Sequence, residues 1–152
     1  MWRSVIMKMN EKEMIQLFVG DFSFDKVERF IENNGINSLD RDNRTLLYTA
    51  ISEKNEYLVN YLIHKGCLIN LQDKDGFTPL HFAVMHDLYD VVNLLIEKGA
   101  DINLKDRWGN TALLRSVTGT YKGETAISRL LVKHGASLDD KNNGGVSARD
   151  FI

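Results

Sequence analysis

The side chains best suited to metal binding or nucleophilic chemistry are four histidines and a single cysteine, Cys67. The histidines, His64, His81, His86 and His134, are scattered, and none has a partner at the short spacing, such as C-x₂-C or H-x₃-H, that brings two ligands to one ion. A lone cysteine cannot form an internal disulfide, so it gives no sign of an oxidising compartment. We therefore expect no metal and no cofactor.

Signatures of catalysis are also missing from the sequence, which contains no G-x-S-x-G, no P-loop and no H-E-x-x-H. The glycine-containing run from Thr118 to Gly123 superficially resembles a phosphate loop. It falls between two predicted helices, however, whereas a phosphate loop joins a strand to a helix. The sequence predicts a protein that is not an enzyme.

The composition restricts the class of partner. The chain has 152 residues, of which 26% are charged, and its formal net charge of -2 comes from interleaved acidic and basic residues. This pattern lacks the basic patch of a nucleic-acid binder. No apolar stretch is long enough for a signal peptide or a membrane span. We expect one domain, monomeric and cytoplasmic, that binds neither nucleic acid nor membrane.

A repeat of 33 residues supplies the elements that position these side chains. Two residue types mark its register, with each aspartate five residues before its threonine: Asp40 and Thr45, Asp73 and Thr78, Asp106 and Thr111. The apolar residues between 58 and 63 recur in the same register between 91 and 96. Their spacing predicts an apolar stripe along one side of a helix.

The second repeat carries a known signature. Residues 78–83 spell T-P-L-H-F-A, and residues 99–103 spell G-A-D-I-N. Over residues 11–152 the chain therefore resembles the ankyrin-repeat family, which has the motif T-P-L-H-x-A. The resemblance implies an all-α solenoid of helix-turn-helix units with protruding β-turn fingers. Its predicted units are a capping unit (10–39), three repeats (40–72, 73–105, 106–141) and a truncated final unit (142–152).

The second repeat also predicts helix limits. Thr78 is a suitable N-cap, and Pro79 suits the first helical position because its missing N–H costs nothing there. We predict helix A over 79–86 and helix B over 89–98, closed by a left-handed Gly99. Asp73 and Asp106 are expected to tie neighbouring fingers together by accepting hydrogen bonds from backbone amides.

The two ends of the array carry charged residues where the central repeats are apolar. Glu28 and Glu32 stand where the next unit has Val59 and Ile63, and we expect them on an outer face that no preceding repeat covers. Arg149 stands at the position of a leucine in the central repeats, and we expect it to be exposed.

The resemblance places partner binding on the concave face, formed by the finger tips and the exposed ends of the A helices. Transfer through the register gives fourteen positions, and nine of them are our candidates for partner binding: Arg41, Arg44, Lys74, Phe77, Met85, His86, Arg107, Trp108 and Asn110. A three-residue insertion in the third repeat adds Tyr121 and Lys122. Adjacent Arg107 and Trp108 stand out, since Arg and Trp are enriched among binding hot spots. The alternative is that Phe77 and Trp108 pack on neighbouring fingers.

The third repeat and the segment 142–147 resemble small stand-alone bacterial ankyrin proteins that are often encoded beside toxins. This resemblance implies an immunity protein that binds and neutralises a cognate toxin or effector enzyme. A general adaptor or scaffold that binds another cytoplasmic protein is the alternative.

Overall fold

The computed structural model describes residues 8–119 and 123–152. These residues form eight α-helices: α1 (Glu11–Gln16), α2 (Phe24–Asn34), α3 (Leu46–Ser52), α4 (Glu56–His64), α5 (Pro79–Met85), α6 (Tyr89–Glu97), α7 (Ala112–Thr118) and α8 (Ala126–Lys133). A short 3₁₀ helix follows at Ala148–Asp150. Extended pairing in the described ranges is limited to one parallel bridge between Lys8 and Leu39. The predicted all-α architecture is confirmed.

The beginning of α5 shows why a helix forms where the register places it. The Thr78 hydroxyl accepts a hydrogen bond from the backbone N–H of His81, and the His81 ring accepts one from the backbone N–H of Thr78. Pro79 occupies the first turn, and its ring already restricts the backbone angle φ to a helical value. Helices α5 and α6 each end one residue before the predicted limit, at Met85 and Glu97.

The helices stack as pairs. Within each repeat α3 packs on α4, α5 on α6 and α7 on α8, while α5 also packs between α3 and α7. One continuous apolar core runs through the stack, and its largest fully buried side chains include Leu47, Leu62, Leu80, Leu95 and Leu113. Burial of these faces stabilises the fold, because a single helix pair cannot cover its own apolar surface. No helix in the described ranges is both long and apolar enough to cross a bilayer.

The first unit differs from the prediction for its outer face. Glu28 does not point away from the array: its carboxylate accepts the Tyr61 hydroxyl from α4 and pairs with Nζ of Lys65, the residue after α4, at 2.9 Å. Glu32 is exposed as expected, and so are apolar side chains of this unit, including Ile15 and Val19. The expectation for Glu28 was wrong because the side chains opposite it are polar.

The last unit agrees with its prediction. Arg149 is exposed and pairs with Asp139 through two bonds, Nε to Oδ1 at 2.5 Å and Nη2 to Oδ2 at 3.0 Å.

Candidate functional site

Each finger is closed by the aspartate at its base. Asp73 Oδ1 accepts the backbone N–H groups of Asp75 and Phe77, both at 2.9 Å. Asp106 Oδ1 accepts those of Trp108 and Asn110 at the same distance. The short carboxylate thus satisfies amides inside a tight turn, as aspartate does in Asx turns.

Three backbone hydrogen bonds join neighbouring fingers. Lys74 N donates to Asp42 O at 3.0 Å, and Arg107 N donates to Asp75 O at 2.8 Å. Asn143 N continues the series by donating to the carbonyl of Trp108 at 3.0 Å. The prediction that base aspartates bind amides is confirmed, but those amides belong to their own fingers. These three backbone bonds do not depend on the identity of the side chains at the tips, although Arg107 and Asp75 add a side-chain pair between two fingers.

Two glycines allow the fingers to approach so closely. Gly76 and Gly109 have φ values of 78° and 81°, a left-handed conformation that suits glycine. A Cβ at Gly76 would lie 2.9 Å from Arg107 N, and one at Gly109 would lie 2.8 Å from Asn143 N. A larger residue would push the next finger away.

Buried carboxylates hold two arginines, one in the first finger and one on α7. Arg44 places Nε and Nη2 each 2.8 Å from Asp73 Oδ2, which links the first finger to the second. Arg115 on α7 places Nε 2.8 Å and Nη2 2.5 Å from Asp106 Oδ2. Both aspartate side chains are almost fully buried, whereas each arginine keeps more than a quarter of its side chain exposed.

Asp106 illustrates the electrostatics of these pairs. Burial alone would raise the pKa of its carboxyl group. Hydrogen bonds from the Asn110 amide and from Arg115 outweigh that effect and hold the pKa of Asp106 below its ordinary value of 3.8. The carboxylate therefore stays ionised and keeps Arg115 in place.

Trp108, at the third finger, contacts two guanidinium groups. The guanidinium carbon of Arg107 is 5.0 Å from the indole centroid and that of Arg115 is 5.4 Å away. Phe77 adds a tilted ring contact at 5.7 Å. Trp108 is nevertheless 44% exposed. The indole thus packs on the neighbouring finger, which was the alternative prediction, and still presents part of its surface to solvent.

The other sequence-predicted residues divide into two groups. Arg44, Phe77 and Asn110 make contacts inside the array; Asn110 bonds to Asp106 and accepts an N–H from Asn142 at 2.8 Å. A second group presents side chains to solvent, namely Arg41, Lys74, Met85 and Arg107, with His86 half-buried beside Phe82. Tyr121 and Lys122 lie outside the described residues.

Sequence reasoning missed Arg115. Its guanidinium lies over both Phe77 and Trp108, at 5.2 and 5.4 Å, and it lines a cleft of about 250 Å³ beside Met85. The register did contain a signal, because Arg115 is a cation at the position that Phe82 occupies on α5. Its meaning depends on the Asp106 carboxylate below it, which only the fold brings into contact.

The position of the signature histidine carries a different side chain in each repeat. His81 Nε2 donates to the carbonyl of Asn110 in the next finger at 3.1 Å. Tyr48 takes its place in the first repeat, and its hydroxyl donates to the carbonyls of Leu71 and Phe77. Leu114, in the third repeat, has no polar atom for such a bond. Burial raises the pKa of the Tyr48 phenol, and Asp73 adds to this effect, so the phenol remains protonated as a donor.

His81 should make stability depend on pH. Burial lowers the pKa of His81 below its ordinary 6.5, so the folded state favours the neutral ring. Its stabilising contribution is therefore complete above about pH 6.5 and is lost as the pH falls through the lowered pKa. We expect a lower urea midpoint at about pH 5.5 than at about pH 7.5, and a smaller difference in His81→Gln.

The exposed His64 provides the control for that measurement, because its ring lies in solvent. His64→Gln should keep the wild-type dependence on pH. An unchanged dependence in His81→Gln would show that another group is responsible.

The described part of the chain offers little for metal or thiol chemistry. It holds no group of three or more His, Cys, Asp or Glu side chains placed to bind a metal ion. Cys67 is buried, and burial raises the pKa of its thiol to about 12. The thiol is therefore protonated at neutral pH and a poor nucleophile.

Comparison with known families agrees with this geometry. A family model described as ankyrin repeats (3 copies) matches residues 15–106, more than half of the chain. No curated protein matches the sequence. The matched segment contains the helix pairs and fingers from α2 to the base of the third finger. The chain therefore belongs to the ankyrin-repeat family.

Proposed function

We propose that this chain binds and neutralises a cognate toxin or effector enzyme, and that it does so through its concave face. Ankyrin repeats form protein–protein interaction modules, and nothing in the family match indicates catalysis. We use the name finger face for the surface built by Arg41, Lys74, Met85, His86, Arg107, Trp108 and Arg115. The finer assignment, inhibition of a toxin, rests on the resemblance of the third repeat to toxin-linked ankyrin proteins.

The observation that carries the binding proposal is the setting of Trp108. Arg107 and Arg115 flank the indole, and Asp75 and Asp106 fix those two arginines in turn. A side chain held in this way loses little conformational freedom when a partner docks. Large aromatic residues with neighbouring arginines are the side chains on which binding energy concentrates.

The double substitution Trp108→Ala with Arg107→Ala should weaken partner binding by at least about 2 kcal/mol, the scale of a hot spot. Calorimetry with the purified partner measures this loss. Both side chains lie at a finger tip outside the apolar core, so the urea midpoint should change little. The matched control is Tyr57→Ala with Arg129→Ala, an exposed aromatic and an exposed arginine on the B helices α4 and α8.

An unchanged affinity in the finger-tip variant, together with a loss in the control variant, would move the binding site to the convex face. The finger-face proposal would then be wrong, although the chain would still be a binding module.

The toxin assignment is tested with the reading frame adjacent to this gene. We expect its product to inhibit growth of a sensitive host when expressed alone, and to be harmless when co-expressed with this protein. The two chains should then elute together on gel filtration. The Trp108→Ala, Arg107→Ala variant should protect less well than the control variant.

A harmless neighbour, or toxicity that persists on co-expression without a complex, would contradict the immunity assignment. The general adaptor, which binds another cytoplasmic protein without inhibiting it, would then be the better description.

A further inference from the structure

The charges of the finger face are arranged in layers. Three ion pairs hold its arginines, and in each one the cation is the more exposed partner. Arg107 is 60% exposed against 38% for Asp75, and Arg41 is 80% exposed against 39% for Glu11. The finger face therefore presents guanidinium groups to a partner, with the balancing carboxylates beneath them.

Donors remain available on these cations. A guanidinium carries five N–H donors. Within the described contacts, Asp75 takes Nη1 of Arg107, and Asp106 takes Nε and Nη2 of Arg115. Lys74, exposed on the second finger, adds a further cation to the finger face. A carboxylate approaching Trp108 would find the charged donors of two arginines beside the indole.

The cleft beside Arg115 adds an apolar contact to these cations. Met85, at the last turn of α5, is 43% exposed and lines the same cleft as Arg115. Asp87, which follows α5, lines this cleft as well. The finger face thus combines guanidinium groups with a neighbouring apolar side chain.

We infer that the finger face recognises an acidic, extended segment of its protein partner, an inference that rests on the proposed binding function. One or two carboxylates of the segment contact Arg107 and Arg115 beside Trp108. An apolar side chain of the same segment contacts Met85, which lines the cleft beside Arg115.

Synthetic peptides test this chemistry without knowledge of the partner. The probe is the capped peptide Glu-Asp-Ser-Ser-Leu-Phe, compared with versions that begin Gln-Asn or Lys-Lys. In a Trp2→Phe background Trp108 is the single tryptophan, so its fluorescence reports on binding at the finger. We expect the acidic peptide to bind at least about tenfold more tightly than the neutral one, and high salt to weaken it.

Arg107→Gln should weaken binding of the acidic peptide by about tenfold. Arg129→Gln is the matched control, since it removes the same charge from an arginine that is 62% exposed and paired with Glu124 on the convex side. It should leave the affinity unchanged. A short oligothymidine is added to the comparison because an indole between arginines could also stack a base.

The inference is overturned if the acidic peptide shows no preference over the neutral or basic peptide, if Arg129→Gln acts like Arg107→Gln, or if oligothymidine binds in place of the peptide. The peptide measurements test the acidic segment independently of the measurements with the whole partner. If the Trp108→Ala, Arg107→Ala variant loses partner binding but the peptides show no acidic preference, only the inference of an acidic segment is wrong. If the peptides show an acidic preference but the neighbouring gene product forms no complex, only the toxin assignment is wrong.

Discussion

Replacing Asp106 with alanine should lower the free energy of unfolding by about 3 kcal/mol. The substitution leaves Arg115 against the concave wall without its counter-ion and deprives the backbone N–H groups of Trp108 and Asn110 of their acceptor. Breaking a buried ion pair usually costs about 3–5 kcal/mol. We take the lower end of that range because part of Arg115 stays in water. Urea denaturation followed by circular dichroism measures the change.

Asp75→Ala is the comparison for Asp106→Ala, because it also removes an aspartate paired with an arginine on the same row of fingers. Both partners are exposed there, so the cost should stay within about 1 kcal/mol. Equal losses in the two variants would show that the buried position of Asp106 contributes nothing special.

The lowered pKa of Asp106 makes the free energy of unfolding depend on pH in the acid range. Because the folded pKa lies below the ordinary 3.8, the carboxylate contributes its full stabilisation above that value. The contribution is lost as the pH falls further and the carboxylate is protonated. Loss of stability below about pH 4 should therefore be smaller in Asp106→Ala than in the wild type, whereas the loss nearer pH 6 belongs to His81.

Leu95→Ala should cost about 2–5 kcal/mol, the range for a leucine truncated inside a core. Leu95 is fully buried on α6, in the second of the three repeats. The cavity weakens a unit that both neighbouring repeats need, and in a repeat array damage spreads through neighbours. Thermal and urea unfolding should remain a single transition at a lower midpoint.

Leu68→Ala is the control for this truncation because Leu68 is about half exposed. Its effect should stay within about 0.5 kcal/mol. A loss below about 1 kcal/mol for Leu95→Ala would mean that the surrounding helices close the cavity or that the core is loosely packed there.

Much of the fold could be predicted from the sequence because its signals are local. The Thr78-Pro79 start of α5 and the left-handed Gly99 act within a few residues, so the helix limits were correct to one residue. Trp108 could be singled out for the same reason, as a large aromatic residue at a turn that does not require one.

Features that depend on contacts between units could not be predicted. Glu28 was expected to face outward, but Tyr61 on α4 and Lys65 after it lie opposite its carboxylate. Arg115 was missed, although it completes the setting of Trp108. In each case the partner comes from another element or from a distant part of the repeat, and no spacing in the sequence fixes the distance between them.

The backbone bonds between fingers also bear on how such a protein can change over generations. Lys74, Arg107 and Asn143 join successive fingers through main-chain amides, and any residue except proline provides that amide. Mutation can therefore replace the outward side chains at these positions while the scaffold keeps its shape. A lineage could follow a partner that is itself changing, one finger at a time, without passing through an unfolded intermediate.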